Sequence, residues 1–179
     1  MNFERVIKMI TQEFNKRKVS YALIGGYAMA FYGIIRATVD IDFIVDEKDR
    51  DYVKQTLAKN YRIFYESDNV IQFISDDIFG SIDFILAKRD IGRDILKNAR
   101  FFKAAGGKIK IKVARLEDII GLKLQAIKNE PKRYIKERYD IEMIMEQQGK
   151  KLDWERVYMY FKIFECEKDF NELRERYEG

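Results

Sequence analysis

An alternating run from Val39 to Val45 is the feature that most constrains how this 179-residue chain can fold. Apolar residues occupy the odd positions of this run, whereas Asp40 and Asp42 share the opposite side. Because successive side chains of a β-strand point to opposite faces, the pattern predicts a strand with one apolar face and two carboxylates on the other. Any lone Asp-x-Asp is most simply explained as surface acids, so the neighbouring sequence decides whether these two belong to a site.

A glycine pair lies between a short apolar run and the acidic strand. Residues 21–24 form the apolar run, Gly25 and Gly26 follow it, and residues 27–33 are helical in character. Glycines between a strand and a helix let the backbone approach a phosphate closely, and the first amide groups of a helix attract anions. This order predicts a phosphate-binding turn beside the two carboxylates.

A third acid lies in phase in a later strand. The sequence predicts strands near 70–74 and 81–86, joined as a hairpin by residues 75–80. In the second strand Asp83 faces away from the apolar residues, so it joins the first two acids if this strand lies beside theirs.

Three carboxylates beside a phosphate site have a specific chemical meaning. Mg²⁺ and Mn²⁺ prefer hard oxygen ligands and complete their shells with substrate phosphates, and two-metal sites need acids on both sides. We therefore predict Asp40, Asp42 and Asp83 to be catalytic residues and metal ligands.

The composition excludes several other mechanisms. The chain has no histidine and a single cysteine, Cys166, which removes imidazole bases, the usual zinc ligand sets and an internal disulfide. No apolar run approaches the roughly 20 residues that cross a bilayer, so we expect a soluble cytoplasmic protein without a membrane partner. The net charge of +4 permits a polyanionic partner without requiring one.

The chain divides by pattern into two parts. Residues 108–113 form the last alternating segment, and from Leu116 onward the sequence is helical in character. We predict an α/β core over residues 1–115 and a helical lobe over residues 116–179 that packs on the core.

Eight residues carry a resemblance to a known superfamily: Gly25, Gly26, Gly33, Arg36, Thr38, Asp40, Asp42 and Asp83. With them the chain resembles the DNA polymerase beta-type nucleotidyltransferases, most specifically over residues 19–46. Within that superfamily it looks most like small stand-alone prokaryotic members of the abortive-infection, type IV toxin kind. The resemblance implies an α+β fold with a mixed sheet flanked by helices and a C-terminal helical lobe. It also implies metal-dependent transfer of a nucleotidyl group from a triphosphate such as ATP to an acceptor hydroxyl, with release of pyrophosphate.

The resemblance also implies the nucleotide-binding residues: Gly25, Gly26, Arg36, Thr38 and Lys123. Gly26 stands where many relatives carry a serine, so only backbone contacts to phosphate would remain there. For Arg36, a phosphate contact and an ordinary ion pair with a neighbouring acid are equally good explanations.

A basic-acidic pair followed by an aspartate is common in the toxin-like relatives. Lys136, Glu137 and Asp140 come closest to it here, with glutamate in place of an aspartate. An antitoxin-like protein partner is a further implication of the resemblance, and a homodimer is a default expectation.

Two other functions stay open at this point. The chain could be a non-catalytic relative that binds a nucleotide or a partner protein through the same fold. It could also bind nucleic acid through the basic stretch 128–138, although a solvated helix face explains that stretch better. For an active enzyme, the acceptor could be RNA, a protein or a small molecule.

Overall fold

The computed structural model describes residues 3–75 and 80–178 of the chain. The chain forms two compact units, one of Met1–Phe31 and Ile35–Ala114 and the other of Tyr32–Ile34 and Arg115–Gly179. Within the described ranges, no helix is both long enough and apolar enough to span a membrane.

The strands of the first unit are β1 (Tyr21–Ile24), β2 (Asp40–Asp46), β3 (Arg62–Glu66), β4 (Val70–Ile74), β5 (Ser81–Ala87), β6 (Arg100–Ala104) and β7 (Ile109–Val113). Its helices are α1 (Phe3–Lys16), α2 (Gly25–Phe31), α3 (Arg50–Leu57) and α4 (Asp90–Asn98). The second unit contains α5 (Leu116–Asn129), α6 (Tyr134–Gln148), α7 (Trp154–Ile163) and α8 (Glu167–Tyr177).

The described strands form one sheet of seven in the order β3-β4-β5-β2-β1-β7-β6. The β2–β5 and β1–β7 pairs are parallel, and the other four pairs are antiparallel. The predicted α+β fold, with a mixed sheet, flanking helices and a C-terminal helical part, is therefore confirmed. β5 lies directly beside β2, as the hypothesis of three converging acids required.

One face of the sheet carries an aromatic core. Phe14 of α1 meets Tyr21 of β1 edge-to-face at 5.4 Å, and Phe43 of β2 stacks on Phe84 of β5 at 5.4 Å between ring centroids. Phe73 of β4 packs edge-on against Phe84. Because these residues occupy the apolar phase of their strands, the acids of β2 and β5 are left on the opposite face.

The local predictions differ from the structure at several element boundaries. β2 begins at Asp40 rather than at Val39. After β2, a 3-10 turn over Glu47–Asp49 precedes α3, and the Asp46 side chain accepts a hydrogen bond from the Lys48 amide at its start. Of the hairpin turn predicted between β4 and β5, residues 76–79 lie outside the described residues.

Two strands and one helix were not predicted at all. β3 is exposed along its whole length, and β6 is mostly exposed, so neither shows the buried alternation that marks a strand. α4 is a short helix, and its buried residues include Gly92. A Cβ added at Gly92 would lie 3.0 Å from the Ala87 Cβ, so the helix packs closely on the end of β5.

Candidate active site

The three predicted acids share one face of the sheet. In the parallel β2–β5 pair, Asp42 lies directly opposite Asp83, and Asp40 lies directly opposite Ser81. Directly paired residues project to the same face, and Asp40 and Asp42 are two residues apart on one strand. The predicted adjacency of the two strands and the shared face of the three acids are therefore confirmed, whereas their roles as catalytic residues and metal ligands stay predictions.

Gly25 packs against the acid at the centre of this group. β1 is fully buried and ends at Ile24, and Gly25 follows with a φ of 67°. A Cβ at this position would lie 2.1 Å from Asp42 Oδ2. Both the left-handed backbone and the missing side chain are therefore needed for the turn to lie beside the carboxylate.

Two neighbouring side chains bind the outer acids. Gln72 of β4 donates from Nε2 to Asp83 Oδ2 over 2.7 Å, and Ser81 donates its hydroxyl to Asp40 Oδ1. Sequence reasoning missed both residues. The available signal was the phase of the hairpin, which places Gln72 and Ser81 on the same side as Asp83.

The donor set fits a hard divalent cation. One sheet face presents carboxylates from Asp40, Asp42 and Asp83 with the Ser81 hydroxyl beside them, and the described strands contain neither cysteine, methionine nor histidine. Within residues 3–75 and 80–178, no three acidic or cysteine side chains are gathered closely enough to enclose an ion. Ligation would therefore require these three carboxylates to approach one another more closely than they do in this structure.

Gly26, Arg36 and Thr38 meet over the first turn of α2. A Cβ on Gly26 would lie 3.0 Å from Thr38 Oγ1 and 3.1 Å from Arg36 Cζ. Arg36 also donates from Nη1 to the Ala37 carbonyl over 2.8 Å. Since α2 is only seven residues long, the guanidinium and the hydroxyl carry more of any phosphate attraction than the helix dipole does.

Lys123 belongs to the second unit, where it lies in a buried ionic cluster. Its ammonium group donates to Glu137 Oε2 over 2.9 Å and to Asp140 Oδ2. Arg133 donates to the other oxygen of Glu137, with Nε–Oε1 at 3.0 Å. Burial on its own would raise the pKa of Glu137, but Lys123 and Arg133 outweigh it and lower the pKa.

Asp118 is a further buried acid of this unit, and no role was predicted for it from the sequence. Asp118 of α5 is fully buried, and its Oδ1 accepts from Arg156 Nε at 2.6 Å and from the Tyr160 hydroxyl at 2.8 Å. Burial raises the pKa of Asp118, although Arg156 and Tyr160 act in the opposite direction. Both partners lie on α7, far along the sequence, and no local pattern points to them.

The sequence matches the family model for the AbiEii nucleotidyl transferase toxin of type IV toxin–antitoxin systems over residues 13–176. That match includes the glycine turn, all three acids and the Lys123 cluster. This chain belongs to the AbiEii family. It is therefore a nucleotidyltransferase, and the resemblance inferred from Gly25 to Asp83 is confirmed.

Solved structures share the fold of this AbiEii-family chain. The solution structure of the antibiotic-resistance factor ANT(2″)-Ia is 18% identical with a TM-score of 0.63, covering 98% of this chain and 99% of that one. A lincomycin-bound lincosamide antibiotic adenylyltransferase is 19% identical with a TM-score of 0.52, covering 65% and 83%. An antigenic nucleotidyltransferase-like protein from Paracoccidioides brasiliensis is 11% identical with a TM-score of 0.54, covering 95% and 90%. Among curated proteins, none is a significant match to this AbiEii-family sequence.

Proposed function

We propose that this AbiEii-family chain transfers a nucleotidyl group from a nucleoside triphosphate to an acceptor hydroxyl through Asp40, Asp42 and Asp83. The observation that carries the proposal is the direct pairing of Asp42 with Asp83 across β2 and β5, beside the Gly25 turn. Carboxylates that lie side by side can bind cations, and those cations can in turn bind the phosphates of a triphosphate. The glycine turn leaves room for the phosphates beside them. Membership of a nucleotidyltransferase family supports the same reaction.

Mg²⁺ or Mn²⁺ is the proposed cofactor. Asp40 and Asp42 would hold it against the triphosphate, and Asp83 would complete the ligand set on the acceptor side. When bound, such an ion polarises the phosphoryl oxygens and lowers the pKa of a coordinated hydroxyl. Gln72 and Ser81, which bind Asp83 and Asp40 in the structure, keep those carboxylates oriented along the sheet.

The proposed reaction breaks and forms one bond at the α-phosphorus. The acceptor oxygen bonds to the α-phosphorus, and the bond from that phosphorus to the pyrophosphate oxygen breaks, so pyrophosphate leaves with the electron pair. Asp83 would accept the proton of the acceptor hydroxyl. The product is the nucleotidylated acceptor.

The nucleotide contacts are proposed from residues around the turn. The Gly25 and Gly26 amides would approach the phosphates, Arg36 would neutralise them, and Thr38 would donate a hydroxyl. We retain Lys123 as a proposed phosphate contact.

The acceptor remains a choice among RNA, a protein and a small molecule. Among the structural neighbours, one is named as a lincosamide antibiotic adenylyltransferase and another structure of ANT(2″)-Ia contains adenylyl-2″-tobramycin. These names favour ATP as the first triphosphate to test. The family's type IV toxin–antitoxin description supports an antitoxin-like protein partner, and we further propose a cytoplasmic location and a homodimer.

The test is label transfer from each α-labelled nucleoside triphosphate, with Mg²⁺ or Mn²⁺ and a cell extract. The native chain should label an acceptor with one preferred base, and Asp40→Asn should abolish labelling. Asp46→Asn is the matched control, because Asp46 lies on the same strand and in the same phase but at the far end from Gly25. It should label the acceptor as the native chain does.

Two results separate the alternatives. Equal labelling by Asp40→Asn and native protein would show that these acids are not the catalytic group. Metal-dependent nucleotide binding without any labelling by the native chain would identify a non-catalytic nucleotide-binding member of the family.

A further inference from the structure

The β6–β7 hairpin at the edge of the sheet presents a basic outer face. In its antiparallel register Phe101 lies opposite Lys112, and Lys103 lies opposite Lys110, so these four side chains share one face. The alternate residues of β7, from Ile109 to Val113, are buried. We call the four residues the hairpin face.

The lysines of this face are not neutralised by acids. Across residues 3–75 and 80–178, Lys103, Lys110 and Lys112 take part in no ion pair. Like charges directly opposite each other on paired strands destabilise a sheet. The Lys103–Lys110 pair therefore costs stability in the chain alone, and an anion that bridges the two ammonium groups would relieve that cost.

An aromatic ring lies among these charges. Phe101 is 56% exposed, Lys110 Nζ lies 4.2 Å from its ring centroid and Lys112 Nζ lies 5.5 Å from it. Exposure of a large apolar ring to water does not stabilise the fold, but the ring offers a stacking surface to a planar ligand.

A groove of about 270 Å³ lies between α1 and the start of β7, next to the hairpin. It is lined by Glu4, Lys8, Thr11, Gln12, Asn15, Lys108, Ile109 and Lys110. Three of these residues are lysines and one is acidic, and Lys110 belongs both to the groove and to the hairpin face. Polar amides and a hydroxyl complete the lining, which suits an extended, hydrogen-bonding polyanion.

We propose that the hairpin face and this groove bind single-stranded nucleic acid. Backbone phosphates would lie along Lys103, Lys110, Lys112 and the groove, and a base would stack on Phe101. An acidic protein segment would use the lysines but would leave the exposed ring without a role. The proposal concerns a binding surface and holds whether or not nucleic acid is also the acceptor of the nucleotidyl group.

The basic stretch 128–138 is a weaker candidate surface. Arg133 is paired with Glu137, and Arg138 is paired with Glu142. The charges that the sequence concentrates between 128 and 138 are therefore partly neutralised by neighbouring acids, whereas those of the hairpin face are not.

The experiment measures binding of a labelled single-stranded homopolymer, as RNA and as DNA, over a series of salt concentrations. No metal or triphosphate is added, so the outcome does not depend on nucleotidyl transfer. Substitution of Lys103, Lys110 and Lys112 by glutamine should weaken binding about tenfold or more and reduce the log–log salt slope by about 2. Phe101→Ala should weaken binding about 5- to 100-fold with the slope unchanged, and Phe101→Tyr should restore it.

The matched control removes three positive charges elsewhere, by substituting Lys132, Lys136 and Lys150 with glutamine. These exposed lysines lie in the helical unit, and their loss should leave the affinity within about twofold of native. Equal loss of binding in both triple variants would reduce the effect to net charge and overturn the proposal. Native-like binding by Phe101→Ala, together with equally tight binding of polyglutamate, would identify a plain polyanion surface and would also overturn it.

Discussion

Asp42 Oδ2 lies 2.1 Å from the point that a Cβ on Gly25 would occupy. The glycine and the carboxylate therefore fit only as a pair, and any side chain on the turn would push the central acid of the proposed site out of place. This relationship joins the two halves of the sequence pattern, the glycine turn and the acidic strand, in one contact.

Gly25→Ala should abolish nucleotidyl transfer and destabilise the chain. A left-handed alanine costs about 1–2 kcal/mol, and the clash with Asp42 adds to that cost. Gly106→Ala is the matched control, because Gly106 has a φ of 63° and nothing within 4 Å of its Cβ position. Urea unfolding should show a smaller loss for Gly106→Ala, whereas equal losses would contradict a role for the Asp42 contact.

Metal and triphosphate together should stabilise the native chain. A ligand present at 100 times its Kd contributes about 2.7 kcal/mol, which corresponds to a rise of about 5–10 °C in Tm for a chain of this size. Asp40→Asn, Asp42→Asn and Asp83→Asn should each lose most of this rise, and Asp46→Asn should keep it. A thermal scan in which all four variants shift equally would remove the three acids from the metal site.

The ionic cluster of the helical unit should make stability depend on acid pH. The pKa of Glu137 is lowered below its ordinary value of 4.5 in the folded chain, so its stabilising contribution is complete above about 4.5 and is lost as the pH falls through the lowered pKa. At neutral pH, Glu137→Gln should cost about 1.5–3 kcal/mol, because it removes a hydrogen bond between charged groups while Asp140 still pairs with buried Lys123.

Urea unfolding at a series of pH values checks this expectation. The difference between native and Glu137→Gln should shrink as the pH falls below about 4.5. Glu130→Gln, an exposed substitution of the same kind, should follow the native curve throughout. A difference that stays constant with pH would mean that Glu137 stabilises the unit without its charge.

Gly121→Ala should destabilise the helical unit, because the added methyl group would clash with the ring of Tyr160. A Cβ on Gly121 would lie 2.3 Å from Cδ1 and Cε1 of Tyr160, and overpacking of this kind costs about 1–3 kcal/mol. In the double variant with Tyr160→Leu the loss should be smaller than the sum of the two single losses. A double-mutant cycle measures this coupling, and a coupling free energy near zero would contradict the contact.

The acidic strand could be predicted from sequence because it obeys a local rule. Alternation alone placed Asp40 and Asp42 on the face opposite Phe43, and the same rule gave the phase of Asp83. The adjacency of β2 and β5 could not be predicted in this way, because parallel pairing depends on how α3, β3 and β4 are routed between them. The superfamily resemblance supplied that missing step.

The interactions that hold the site residues in place could not be predicted from local sequence patterns, because they join residues that are far apart in the sequence. Gln72 and Ser81 bind acids on neighbouring strands, and Lys123 meets Glu137 and Asp140 only when two helices pack together. The edge strands β3 and β6 were missed for a different reason. Because these strands are exposed, they lack the hydrophobic pattern from which a strand is inferred. The hairpin face includes residues of β6, so it could not be predicted either.

The parallel pairing of Asp42 with Asp83 also bears on how the chain folds. The two acids lie on strands that cannot meet through a tight turn, since the intervening segment must fold first and close a long loop. A partly folded chain with only its local helices and hairpin formed would lack the paired acids altogether. Enzymatic competence should thus appear together with cooperative closure of the sheet, and a refolding assay that follows both signals should find them rising with a single rate.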